Sequence, residues 1–435
     1  MRARLESYFE FAALHTDWRT EILAGITTFM TMAYIVFVNP SILGEAGMPV
    51  SAVTAATCIS AAVGSILMGA WARYPIALAP GMGLNAYFTY SVVKGMGVAW
   101  QVALGAVFLS GVVFLLLTAL GLRRLILEAI PTGLYAAVAV GIGLFIAFIG
   151  LKNAGLIAAH PATLVTLGNL RSPQPMLGLF GLLVTAGLMA WGVRASILLG
   201  ILVSTAAGAA FGLVQWTPQN LAWGALPATA FQLDVPGALR LGLLEIVFVF
   251  LFVDMFDNIG TLVGVGKKAG LFDAASRIPR VERILTCDAL ATIAGSLTGT
   301  STVVSYIESA SGVAAGGRSG VTAVVTGLLF LVAMFLAPLV GAIPAAATAP
   351  AMILVGSMMI SHAAEIDWVD PLISIPAFLT IVTIPLTFSI ANGLSFGFVA
   401  YTVLRVARGE WRQVNWLVYV LAVLFVLRFA YLGAG

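Results

Sequence analysis

Apolar runs of about 17–25 residues, the length of a bilayer-crossing helix, recur from residue 20 almost to the end of this chain. Inside a bilayer every backbone N–H and C=O must bond within the protein, so only helices or a closed barrel can span it. Barrel strands would alternate polar and apolar residues over about ten positions, and no such alternation is present. Only 9% of residues are charged and 61% are hydrophobic, against about 25% charged in a soluble domain. The chain therefore reads as an all-α polytopic membrane protein.

The runs place spans near 20–40, 51–70, 80–94, 99–121, 133–151, 175–193 and 195–214, then near 241–263, 283–298, 302–316, 320–340, 344–361, 371–388 and 391–407. A last apolar piece, 414–431, contains Arg428 and is either a further span or an interfacial helix. With the N-terminus in the cytoplasm, the inside segments hold all 21 Lys and Arg except Lys94, Lys152, Arg171, Arg240 and Arg428. That bias fits the positive-inside rule and supports about fourteen spans. The first 19 residues are too charged for a signal peptide and read as an amphipathic helix on the cytoplasmic membrane surface.

Two spans are unusual. APGMGLNAYFTYSVV (79–93) and STVVSYIESASGVAAGG (301–317) are short and rich in Gly and Ser. The β-favouring tetrads IALA (76–79) and STVV (301–304) lead into them, which predicts a short strand before a half-helix in each. Half-helices at matching places in two halves point to a carrier's binding site, and these are the third span of each set of seven. AIPTGLYAAVAVGIGLFI (129–146) also echoes AIPAAATAPAMILVGSMM (342–359), with Pro131 and Gly143 matching Pro344 and Gly356 at one offset. Seven is odd, so the second half would enter from the opposite side, giving two inverted repeats.

The stretch VFVFLFVDMFDNIGTLVGVG (247–266) carries Asp254 and Asp257 on one helix face. Each carboxylate costs roughly 2.5 kcal/mol or more at membrane depth, so the pair is expected to accept hydrogen bonds from a substrate and to carry a proton. The bland alternative is a helix end that reaches water. Glu308 lies among Ser305, Ser309 and Ser311 in the second half-helix, as a site acid or a solvated cavity-lining one. Asn85 lies in the first, beside Gly81 and Gly83, which let backbone approach a ligand; its alternative is an interhelical hydrogen bond. Asp288 is a coupling acid or a structural cap. Tyr87, Phe88 and Phe256 could stack on a flat ligand or simply pack.

Other chemistry is excluded by what the chain lacks. Cys58 and Cys287 form neither a disulfide framework nor a metal spacing. His15, His160 and His362 all fall outside mid-span positions, so no histidine metal cluster or proton relay is expected. There is no phosphate-loop motif, and the net charge of +3 is spread over short loops, so no nucleic acid partner is expected. The reading is of a non-enzyme without metal or organic cofactor.

APGMGLNAYF, FVDMFDNIGT and SYIESASGVAAGGRSG, in that order, closely resemble the AzgA-like purine permeases of the nucleobase–cation symporter-2 (nucleobase–ascorbate transporter) superfamily. The resemblance covers about residues 17–430. It implies a core domain (20–122 and 238–340), a gate domain (123–237 and 341–412), a surface segment 1–19 and a C-terminal apolar segment 413–435. It further implies a proton-coupled importer of hypoxanthine, guanine or adenine, working by an elevator-type movement, in a homodimer of the cytoplasmic (inner) cell membrane. By motif match the substrate would meet Asn85, Gly83, Asp254, Glu308, Ser309 and Phe88. Proton coupling would involve Asp257, Glu308 and Asp288, with Asp254 on the base and Asp257 on the proton. Glu308 stands four residues before Gly312-Val313, where uracil and xanthine carriers of the superfamily place their acid or amide three before, so the offset favours the purine branch. The competing readings are a uracil- or xanthine-type symporter, an anion transporter, or a channel on the same fold.

Overall fold

Asp17 ends the charged N-terminal stretch and starts the first membrane helix, its side chain accepting from the Thr20 N–H at 2.9 Å as an N-cap. The computed structural model describes residues 2–121, 130–214, 222–240, 244–270 and 278–431. Arg123, Arg124 and Arg277, used in the charge count, lie outside the described residues, as does the start of the span near 241–263. The N-terminal stretch forms short helices Arg2–Tyr8 and Phe11–Leu14 that lean on the protein. Tyr8 Oη donates to Ala70 O at 2.6 Å, and Arg73 pairs with Glu10 at 3.0 Å.

The first span is α1 (Trp18–Met32) and α2 (Ile35–Gly44), followed by α3 (Val50–Leu67). Next come β1 (Leu78–Pro80), α4 (Met82–Ala86, continued by π-helical turns Tyr87–Gly95) and α5 (Trp100–Ala119). Then follow α6 (Thr132–Asn153), α7 (Pro173–Ala190) and α8 (Ser196–Ala210). A hairpin of β2 (Ile157–His160) and β3 (Leu164–Leu167) joins α6 to α7; the sequence gives it no clear alternation, and it was not expected. The second half has α9 (Leu244–Ala269), α10 (Val281–Thr298), β4 (Val303–Ser305), α11 (Ser309–Ala314) and α12 (Gly320–Ala333). It continues with α13 (Ala345–Met359), α14 (Pro371–Thr387) and α15 (Ile390–Ala407). The last apolar piece is helix α16 (Trp416–Tyr431), packed against α15. Among the described residues, eight helices are long and apolar enough to cross a membrane and four shorter ones are apolar. The chain is an all-α polytopic membrane protein.

Both expected strands are present, and they pair with each other. β1 and β4 run antiparallel, with Leu78 opposite Ser305, Ala79 opposite Val304 and Pro80 opposite Val303. Backbone this deep must satisfy its outer edges as well, and a hydroxyl does so on each side. Ser65 of α3 accepts from Leu78 N at 2.9 Å and donates to Leu78 O at 3.1 Å. Thr292 of α10 accepts from Val303 N at 3.2 Å and donates to Val303 O at 3.0 Å.

Helix packing recurs between the halves. α3 packs on α12 as α10 does on α5, and α1 packs on α12 as α9 does on α5. In a second group α6 packs on α14 as α13 does on α7, while α7 packs on α8 as α14 does on α15. α6 and α13, both started after a proline N-cap, Pro131 and Pro344, cross at Gly143 and Gly356. A Cβ on either glycine would run into the other's carbonyl oxygen. The two positions matched by sequence offset thus touch each other.

Candidate binding site

The strand pair brings two half-helices to one place. α4 begins two residues after β1 and α11 begins four residues after β4, so both start beside the same crossing. Gly83 has no side chain to hold α4 away from α6: a Cβ there would lie 2.5 Å from Ile142 Cγ2. α9 runs past the end of β4. Between these elements and the facing surface of α6 and α13 lies a cavity of about 260 Å³.

The cavity has an acidic wall and a mixed wall. On the first, Asp257, Thr261, Ser305, Tyr306 and Glu308 contribute polar groups, with Tyr34, Gly81 and Gly83 beside them. The Asp257 side chain opens onto the cavity. Glu308 Oε1 accepts from Tyr34 Oη at 2.7 Å, which holds the carboxylate in place. Tyr306 Oη donates to Pro80 O at 2.5 Å, which ties β4's exit to β1. On the opposite wall, Tyr135, Ile142, Met358, Ser361 and His362 line the space. Phe256 bridges the walls by stacking on Tyr135, with ring centroids 5.6 Å apart and planes 16° from parallel.

Other residues singled out from the sequence stand behind the cavity and do not line it. Asp254 is buried and accepts at Oδ1 from Asn258 Nδ2 at 3.0 Å. The same amide nitrogen donates to Asp288 Oδ2, and Asn258 Oδ1 accepts from Ser305 N at 2.9 Å. One asparagine thus joins both aspartates to β4. Asn85 is fully buried, and its Oδ1 accepts from Ser301 Oγ. Ser309 Oγ accepts from Ala77 N at 3.0 Å, so it pins the entry to β1 and does not face the cavity. Phe88 packs against Phe250 at 6.4 Å. The physical reason is common to all five: each is turned toward a neighbouring helix or strand by packing that local spacing does not report.

The structure also adds residues that sequence reasoning passed over. Asn258 directly follows Asp257 in FVDMFDNIGT. Tyr34 reaches Glu308 from 274 positions away. His362 was set aside because it follows a span, yet it sits on the cavity, with Nδ1 3.0 Å from Glu365 Oε1. Its spacing of three from an acid was the available signal. Among the described residues no group of three or more His, Cys, Asp or Glu could hold a metal.

A cavity beside two broken helices that meet at one place is the arrangement of a membrane carrier. Solved structures agree on the fold. The transmembrane domain of the cyanobacterial bicarbonate transporter BicA superposes with a TM-score of 0.63 at 15% identity, covering 88% of this chain and 98% of that one. The Permease family model matches residues 19–425, and the chain belongs to that family, within the nucleobase–cation symporter-2 group. It is 45% identical to the adenine permease AdeP of Escherichia coli over 99% of this chain and 97% of the relative. It is 44% identical to the guanine/hypoxanthine permease PbuG of Bacillus subtilis over 98% of this chain and 100% of the relative. The protein is a multi-pass permease of the cell membrane and not an enzyme.

Proposed function

We propose that the protein imports purine bases (hypoxanthine, guanine or adenine) together with protons. The observation that carries this reading is the pair Asp257 and Glu308 facing one largely apolar cavity. A purine offers a flat apolar body and ring N–H groups, and carboxylates are the acceptors such donors need. First-turn N–H groups of α4 lack intrahelical partners and suit the base's carbonyl or ring nitrogens. The relatives named for adenine and for guanine and hypoxanthine support the same substrate class. The same acidic wall disfavours an anion transporter, although the bicarbonate carrier shares the fold, because two carboxylates would repel an anion.

The division of labour differs from the sequence expectation. Asp257 lines the cavity and Asp254 does not, so Asp257 with Glu308 is assigned to the base. Asp254 and Asp288 share the Asn258 amide. A proton held between them would relieve their repulsion in a medium that solvates charge poorly, which suits a coupling site. The recurring helix pairs support two inverted repeats. The α1–α5 and α9–α12 group would be the moving core and the α6–α8 and α13–α15 group the gate. A cytoplasmic N-terminus follows from the charge bias, and a homodimer from the family resemblance.

Uptake of radiolabelled hypoxanthine, guanine and adenine in cells lacking their own purine permeases tests the reading. At least one base is expected to accumulate, and Glu308→Ala is expected to abolish uptake while the protein still reaches the membrane. Wild-type rates in Glu308→Ala would sink the site assignment.

A further inference from the structure

The acidic wall leaves half of a bound base unread. Asp257 and Glu308 can accept from N–H groups on one edge, but hypoxanthine, guanine and adenine differ in donors and acceptors around the six-membered ring. The opposite wall must meet the remaining edge. Its polar side chains are Ser361, His362 and Tyr135, and the Tyr135 hydroxyl already donates to Glu365 Oε2 at 3.3 Å.

His362 sits in the turn that extends α13, Ile360–Glu365. A Cβ built on Gly260 would lie 3.9 Å from His362 Cε1. Gly260 is three positions after Asp257, and residues so spaced share a helix face. The imidazole therefore reaches over the cavity to α9, at ordinary contact distance from Gly260 and one turn from the base-reading acid. Glu365 holds the ring through Nδ1 at 3.0 Å and is itself held by Tyr135 from α6. A carboxylate on Nδ1 places a hydrogen on that nitrogen, and the tautomer that fits this bond presents the Nε2 lone pair. No described residue hydrogen-bonds Nε2.

We infer that His362 is a contact of the base from the α13 side, with Nε2 helping to select among purines and Glu365 acting as its positioning residue. The inference rests on the purine reading above. It differs from a plain helix-end ion pair, which would leave substrate kinetics untouched.

The test compares wild type with His362→Ala, His362→Gln, His362→Asn and Glu365→Gln. KM is measured for each labelled base and amounts are normalised to protein in the membrane. His362→Ala is expected to raise KM by roughly three- to tenfold, the size of one net hydrogen bond, by unequal factors for the three bases. A glutamine amide reaches about where Nε2 stood and an asparagine amide about where Nδ1 stood. So Gln is expected to restore KM better than Asn, a comparison that stands even if the alanine variant fails to reach the membrane. Glu365→Gln is expected to raise KM with little change in Vmax. Unchanged KM in His362→Ala, one equal factor for all three bases, or Gln and Asn behaving alike would overturn the inference. If wild type itself takes up none of the three bases, the purine reading falls instead.

Discussion

Asp254 and Asp257 show how much one turn of helix decides. They are three residues apart and share a face by spacing, yet one opens onto the cavity and the other is locked to α10 through Asn258. Substitution should separate their roles. Asp257→Asn removes a charged acceptor from the base, worth about 1.5–3 kcal/mol, and KM for uptake is expected to rise tenfold or more. Asp254→Asn is expected to leave binding of labelled base near wild type while accumulation against a gradient is lost. Equal effects of the two on binding would refute the division. Glu21 makes the same point for a structural acid. It stands just beyond the charged surface segment, at the start of the first span, and it is fully buried and accepts from Arg318 N at 2.9 Å and Ser319 N at 3.0 Å, bracing the turn that leads into α12.

At the scale of elements, the two three-residue strands are the feature least suited to a membrane interior, and their clasps explain how they persist. Ser65 and Thr292 each satisfy both backbone groups of one strand residue. Ser65→Ala would leave Leu78 N–H and C=O buried without that partner, at about 1–3 kcal/mol per unsatisfied group. The melting temperature of the purified protein in detergent should fall, and Ser65→Thr should recover most of the loss. An unchanged melting temperature in Ser65→Ala would show that the clasp carries no weight. Because the strands aim both half-helices, uptake is expected to fall with stability.

For the whole molecule, the relevant contacts are those that join the two helix groups. On the cavity side Phe256 stacks on Tyr135. At the far end of α6, Asn153 Nδ2 donates to Glu45 Oε1 at 3.0 Å and to Tyr90 Oη at 3.1 Å, while Lys94 pairs with the other Glu45 oxygen at 2.5 Å. Movement of one group against the other must break and remake such contacts, and the proposed coupling makes a proton gradient the driving term. Collapsing that gradient with a protonophore should stop accumulation of labelled base while leaving exchange of base across the membrane. Accumulation indifferent to the gradient would remove the symport claim.

The sequence by itself determined the class of this protein. Each apolar run must close its own backbone hydrogen bonds in lipid, a local requirement that one stretch of chain answers alone. The same local logic marked the half-helices by their Gly and Ser content, the strands before them by the tetrads IALA and STVV, and the acids by their cost in lipid. What only the tertiary structure decided is which side chains meet. Leu78 pairs with Ser305, Tyr34 with Glu308, and His362 faces Gly260, across separations that no local pattern encodes. Whether Asp257 or Asp254 faces the cavity depends on how α9 is rotated about its axis. Packing against α5, α11 and β4 and the Asn258 bond to Asp288 of α10 set that rotation, and those contacts exist only once both halves of the chain have come together.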